Sequence, residues 1–404
     1  MRLKTLALAA AAAVAATPAM AQYSNDTIKI GVMNDQSGLY ADLSGQGSVW
    51  AARRAVADFC KTTKCHDKIE IVFADHQNKP DIGSTTVRQW FDVDNVDVVV
   101  DVPTSSVALA VNNITKEKNK VFLVSGAAAS DLTGKACTPN TVHWTYDTWA
   151  LANGTGNAVV KTGGDTWFFL TADYAFGHAL ERDTAAVVEK SGGKVVGRVR
   201  HPFPGQDFSS FLLQAQSSKA KIIGLANAGS DTTKSIKQAA EFGIVQGGQK
   251  LAGLLVFITD VHALSLKVAQ GLILTEAWYW DQTDANRAFS AEFEKANKGN
   301  KPTMVQAGVY SAVYHYLKAV HELKSDADGA AVVAKMKSMP TEDALFGKGQ
   351  IRADGRKIHD MYLYEVKSPA ESKGPWDYYK LRATIPAAEA FRPLDQGDCP
   401  LVKK

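Results

Sequence analysis

Short apolar strands alternate with amphipathic helices through this chain, and the alternation runs twice. The hydrophobic pattern predicts strands at 28–33, 69–74, 96–102 and 121–124, separated by helices at 48–60, 82–91 and 108–117. It restarts with strands at 166–170, 194–200, 221–225 and 251–257 and helices at 178–190, 208–216 and 232–242, the last closed by Gly243. Strands separated by helices of about 10–15 residues do not pair as hairpins. They need crossover connections, which give parallel sheets covered by helices. Helices return at 285–298, 303–323 and 329–338, and from 346 onward the pattern is β-rich, with strands at 361–366 and 376–381. The changes of character near 144–163, 271–279 and 346–354 predict two lobes joined by three crossings. Residues 22–145 with 279–345 form one lobe, and 146–278 with 346–404 the other.

Met1 to Ala21 has the layout of a secretory leader. Arg2 and Lys4 precede an apolar run at 6–16, and Ala19-Met20-Ala21 forms a small-residue cleavage site. The run is shorter than the ~20 residues that span a bilayer. No Cys follows the cleavage site, so a lipid anchor is not expected. The mature chain is expected to start at Gln22, in the periplasm, as a monomer not inserted in a membrane. The whole chain carries 45 Lys and Arg against 42 Asp and Glu, and two of the basic residues leave with the leader. A surface this close to neutral gives no ground for a nucleic-acid partner. An exported chain can form disulfides. Cys60 and Cys65 flank a short polar turn and are expected to pair, as are Cys137 and Cys399. No C-x-x-C pair or His cluster accompanies them, so neither zinc nor any cofactor is expected.

Two strands run straight into turns of small residues: 96–102 into Pro103-Thr104-Ser105-Ser106, and 121–124 into Ser125-Gly126-Ala127-Ala128-Ala129-Ser130. In open α/β sheets, ligands sit beyond the carboxyl ends of the strands. Free N–H groups at a helix start, with short hydroxyls, can hold an anion there. Thr104 and Ser105 can also cap the helix that follows. Tyr40, Tyr174 and Phe176 follow strand ends as well and can supply aromatic walls. Trp278-Tyr279-Trp280 is expected to serve packing near a crossing, and His201 to lie at the surface.

The stretch Ile28-Lys29-Ile30-Gly31-Val32-Met33-Asn34-Asp35-Gln36-Ser37-Gly38 resembles the opening of periplasmic solute-binding proteins of the leucine/isoleucine/valine type, which serve ABC importers. Supporting stretches are 74–80, 125–133, 173–177, 207–210 and 347–351, in matching order across the mature chain. The resemblance implies a type I periplasmic-binding-protein fold: two Rossmann-like lobes with parallel sheets, closing over a ligand by hinge motion. A membrane permease with cytoplasmic ATPases is the implied partner. The family's carboxylate-binding turns fall on Thr104, Ser105 and Ser106, and on Ala127, Ala128, Ala129 and Ser130. Its aromatic in the second lobe falls on Tyr174 or Phe176. A further loop falls on Asn227, where amino-acid binders often have Tyr, and the acid that meets a ligand ammonium falls on Asp260. The absent Tyr, and the Ala at 129 where a Thr often sits, weaken the case for an aliphatic amino acid. The sequence looks closer to the subgroup that binds benzoate-like or cinnamate-like acids. Amino acids and amides remain alternative cargoes, and sensing through a receptor is an alternative to import.

A catalytic reading finds no support in the motifs. Lys161-Thr162-Gly163 and Ser191-Gly192-Gly193-Lys194 stand in reversed order from penicillin-recognising enzymes, and no S-D-N accompanies them. Asn153-Gly154-Thr155-Gly156 lacks the third glycine of a dinucleotide fingerprint, and no phosphate loop, H-E-x-x-H or G-x-S-x-G occurs.

Overall fold

The computed structural model describes residues 23–25, 27–63 and 69–403. The expected leader and Cys65, the expected partner of Cys60, lie outside the described residues.

The first sheet is parallel, in the order β2-β1-β3-β4-β5. Its strands are β1 (Ile28–Asn34), β2 (Ile69–Asp75), β3 (Val98–Asp101), β4 (Val121–Val124) and β5 (Thr141–His143). Between them run α1 (Gly45–Thr62), α2 (Pro80–Asp92) and α3 (Ser105–Glu117). β3 and β4 are buried along their whole length, which is why they read as unbroken apolar runs rather than alternating ones. One face packs Val99 and Phe122 against Val87, Trp90, Val107 and Val111 of α2 and α3. The other packs Val98, Val100 and Leu123 with Ala51, Ala52 and Ala55 of α1.

After β5 the chain passes through Trp144–Asp147 into a helix of α4 (Thr148–Leu151), a π turn at Ala152–Gly156 and α5 (Asn157–Lys161). The second sheet is also parallel, in the order β7-β6-β8-β9. Its elements are β6 (Thr166–Ala172), α6 (Ala175–Lys190), β7 (Lys194–His201), α7 (Ser209–Ser217), β8 (Ile222–Ala226), α8 (Ser230–Glu241) and β9 (Lys250–Gly253). β7 alternates between half-buried and exposed residues up to the buried His201, as an edge strand does. Gly243, at φ 64°, follows the end of α8 in the left-handed conformation expected of a helix stop.

The strand expected at 251–257 ends at Gly253. Phe257 instead opens a helix, α9 (Ile258–Leu264), because the Asp260 carboxylate accepts the Phe257 N–H at 2.8 Å. α10 (Leu266–Ala269) and β10 (Ile273–Glu276) follow, then α11 (Asp284–Ala296), α12 (Met304–Leu323) and α13 (Gly329–Ser338). α12 carries a capping box, Thr303 with Gln306, and packs along α1.

Two antiparallel sheets complete the chain. β11 (Thr341–Asp343), β12 (Gly347–Ile351) and β13 (Lys357–Ile358) form one. β10 pairs with β14 (Met361–Val366) and β15 (Tyr379–Ile385) in the other. The first of these lies with the first parallel sheet, since β12 packs on α13 and Arg356 bridges to His143 of β5. Residues after 386 return to the same side through the Cys137–Cys399 disulfide and the Arg392 bond to the Ser130 carbonyl. Residues 347–358 and the tail after 386 thus contact the first parallel sheet's elements. The strand pattern at 346–354 was legible; which sheet it would join was not, because pairing partners lie far apart in sequence.

The crossing segments are tied together by a buried arginine and a buried histidine. Arg356 is fully buried and donates from Nη1 to the Tyr146 carbonyl at 2.9 Å and from Nη2 to the Trp144 carbonyl at 2.8 Å. His359 Nε2 bonds the Thr145 carbonyl at 2.8 Å. No helix among the described residues is long and apolar enough to cross a membrane.

Candidate functional site

In both parallel sheets the strand order reverses beside the first strand of the unit, between β1 and β3 and between β6 and β8. A crevice is expected outside the carboxyl ends at those points. The two reversals face each other across a small cavity of about 10 Å³, lined by Tyr40, Leu43, Pro103, Tyr146, Phe176, Ala228, Leu255 and Phe257. That is room for roughly one water. The two halves are closed upon each other.

On the first-sheet side, the chain leaves β3 through Asp101 and Val102, both at positive φ (82° and 52°). A β-branched residue in that region is strained. After the kink Pro103 lines the cavity, while Thr104 and Ser105 are fully buried and do not line it. Ser105 is the first residue of α3, and its Oγ accepts the N–H groups of Ala128 and Ala129 at 3.3 and 3.2 Å. The two small-residue turns are thus held against each other by one hydroxyl. Thr104 does not cap α3; its hydroxyl bonds Asn78. Ser130 faces away from Ser105 toward α6, where its Oγ donates to Asp183 at 2.6 Å and accepts from Arg182 at 2.9 Å. Ala127, Ala128 and Ala129 are buried.

On the other side stand rings. Tyr174 and Phe176 lie at the start of α6, with centroids 5.9 Å apart, and Tyr174 stacks on Phe203 at 3.8 Å. Tyr174 Oη meets Tyr40 Oη at 2.5 Å, a bond that joins the two halves. Burial pushes both phenols above their usual range. Gly229, at φ 57°, closes the contact. A Cβ there would stand 2.5 Å from the Leu39 carbonyl and 3.0 Å from the Tyr40 ring. Glycine is required for both the conformation and the close approach.

Asn227 does not line the cavity, though its neighbour Ala228 does. Its amide is spent within the second unit, on His201, Ser235 and Thr232. His201 is itself buried rather than at the surface. Asp260 is buried behind Phe257 as a helix cap, and burial pushes its carboxyl up to about 7. Asp101, behind the first turn, is pushed up to about 7 by the same cause, partly offset by the Asn34, Ser44 and Ser48 hydrogen bonds. Trp278 packs on Phe289, and Tyr279 bonds the Trp376 carbonyl.

Sequence reasoning did not find Leu43, Pro103, Tyr146, Leu255 or Phe257. Pro103 was in view as part of its turn. Leu255 and Phe257 were read as strand, although an apolar run extending past a parallel strand is itself a signal for a cleft wall.

Residues 27–375 match the family described as periplasmic binding protein. Among solved structures, a periplasmic binding protein from Burkholderia mallei is 54% identical, with a TM-score of 0.90, over 94% of this chain and 100% of that one. A branched chain amino acid ABC transporter periplasmic ligand-binding protein from Burkholderia xenovorans LB400 is 38% identical, with a TM-score of 0.81, over 93% and 99%. A solute binding protein of an ABC transporter from R. palustris, in complex with benzoate, is 22% identical, with a TM-score of 0.78, over 89% and 97%, and shares the fold.

Proposed function

We infer the function from one premise: the chain belongs to the periplasmic binding protein family. It is an ABC-type periplasmic solute-binding protein with the type I fold, a class that binds small ligands, works with ABC permeases and carries out no chemistry. The finer reading is that the cargo is an aromatic monocarboxylic acid. Its lobes are 23–147 with 278–358 and 387–403 on one side, and 148–277 with 359–386 on the other.

The observation that carries this reading is the chemistry of the cleft lining. Its walls are rings and aliphatic side chains, and no carboxylate lines it. Asp260, the residue expected to meet a ligand ammonium, is engaged by the Phe257 N–H. A ligand with an ammonium group would be buried there without a counter-charge, which is strongly unfavourable. A carboxylate has donors: the Ala128 and Ala129 amides, the Ser105 hydroxyl and the start of α3. In the ligand-bound form the carboxylate replaces Ser105 Oγ on those amides, and the Ser105 hydroxyl turns to donate. The ring lies between Tyr40, Tyr146, Phe176 and Phe257. Closure follows as a population shift, driven by contacts that exist only when both halves meet the ligand. The benzoate in the R. palustris neighbour says only what this fold can hold.

Calorimetry of the mature protein against benzoate, 4-hydroxybenzoate, cinnamate, leucine and valine tests the reading. Aromatic acids are expected to bind, and the amino acids to give no heat at matched concentration. Tight binding of leucine, in keeping with the name of the B. xenovorans relative, would replace the aromatic-acid reading with the amino-acid one.

A further inference from the structure

A much larger cavity than the closed cleft, about 480 Å³, lies at the opposite ends of the second sheet's strands. Lys221 and Ile222 lead into β8 there, Lys250 and Leu251 begin β9, and Leu272 and Ile273 lead into β10. The volume is in the range of small-molecule sites. The apolar part of its wall is built from Val159, Ile236, Val245, Leu251, Val268 and Leu272, with Thr162 and Gln270 beside them. Val245 and Val268 are left 49% and 40% exposed, so their methyl groups face water rather than a packed neighbour. A second hollow of about 240 Å³ adjoins it, sharing Lys221 and Gly248 and adding Lys219.

The charge at this place is one-sided. No Asp or Glu lines either hollow. Lys221 is held by Asp165 Oδ2 at 2.8 Å. Among the described residues, no side-chain hydrogen bond or ion pair is formed by the Lys219 or Lys250 ammonium. A largely apolar trough bordered by the unpaired Lys219 and Lys250 ammonium groups matches an amphipathic anion.

We propose that this trough is a second ligand site, separate from the interlobe cleft, which takes an aliphatic or aromatic monocarboxylate with its apolar body on the valine and leucine wall and its carboxylate among Lys219, Lys221 and Lys250. Affinity comes mainly from the buried apolar area. The exposed lysines contribute little each and orient the head. Binding there is therefore weak, sensitive to chain length and moderately sensitive to salt. The site stands on its own geometry, whatever the cleft binds.

The test uses decanoate as the probe, titrated into the full mature protein and followed by calorimetry and by saturation-transfer NMR. Ala240 is exposed on α8 and lines the trough, so Ala240→Phe fills it from the solvent side. Val268→Trp fills it from α10 and serves as the second variant, and an unshifted cooperative melting transition reports that each variant is folded. Wild type is expected to bind decanoate more tightly than hexanoate. Either filling variant should weaken decanoate at least about tenfold, and the double change Lys219→Gln with Lys250→Gln by a few-fold at low salt, while Ser105→Ala leaves it unchanged. Three results would each overturn the site: no binding to wild type at about 1 mM, undiminished binding to both filled variants, or loss of decanoate on Ser105→Ala, which would place the probe in the cleft instead.

Discussion

The turns after β3 and β4 and the turns after β6, β8 and β9 face one another across the cleft with unlike chemistry. Beside Tyr40, Leu43, Pro103 and Tyr146, the first side offers main-chain amides and one hydroxyl, fixed by a strained exit from β3 and by Ser105 spanning two turns. The second offers rings and small residues: Tyr174, Phe176 and Phe257, with Ala228 and Gly229 allowing the approach. Amides and hydroxyls act only at hydrogen-bond distance and orientation, so that half must be rigid before the ligand arrives. Rings act by area and tolerate lateral shifts. On the aromatic-acid reading proposed above, one half recognises a carboxylate and sets the ligand's class, and the other covers whatever is attached to it and sets its size and shape.

That division can be broken most sharply at the seam. Gly229→Ala puts a methyl group against the Leu39 carbonyl only when the halves meet. Overpacking of this kind is expected to cost the closed form ~1–3 kcal/mol, an affinity loss of about 5- to 150-fold. Calorimetry, with small-angle scattering to follow closure, checks it; wild-type affinity would mean that the halves do not meet at Gly229 in the bound form. Next in size is Ser105→Ala, which removes the hydroxyl that turns to donate to the bound carboxylate and leaves that carboxylate oxygen unpaired. A loss of about tenfold is expected for every carboxylate alike, since an unpaired buried group costs ~1–3 kcal/mol. A loss confined to aromatic acids would contradict the division. Tyr174→Phe removes the Tyr40 hydrogen bond and keeps the ring. It should weaken binding by ~0.5–1.5 kcal/mol and speed ligand release, as stopped-flow measurement would report.

The smallest effect is that of pH. Asp101 and Asp260 stand behind opposite halves, each with its carboxyl pushed up to about 7 by burial. Their folded-state values lie above those of the unfolded chain. The stability they confer is complete below about pH 4 and is lost as pH rises through 7. The same ionisation brings negative charge near an anionic ligand, so carboxylate affinity should fall a few-fold from pH 6 to pH 8. Asp101→Asn should flatten part of that slope in calorimetry at both pH values. An unaltered slope would remove Asp101 as a cause.

Much of this architecture was legible because strand–helix periodicity is local. The helix stop at Gly243, the buried strands β3 and β4 and the small-residue turns beyond them all stood in the sequence as patterns a few residues long. Tyr40 and Phe176 could be placed at strand ends for the same reason, and both line the cavity. Ser130 and Asn227 were equally visible as polar residues after strands. Which way each side chain faced depended on partners elsewhere in the chain, Asp183 and Arg182 for one, His201 and Ser235 for the other. The resemblance placed Asp260 opposite a ligand ammonium, but a helix begins at Phe257 and uses it as a cap.

The sequence by itself determined the element order, the parallel sheets and the kind of ends the strands would have, since propensity and periodicity act over one or two turns of chain. Tertiary structure alone decided which sheet β12 and the C-terminal tail would join, which hydroxyl would hold the amide turns and how closely Gly229 would approach Leu39. Those outcomes rest on contacts between residues tens to hundreds of positions apart, where a hydrogen bond or a 2.5 Å approach depends on the packed position of both partners.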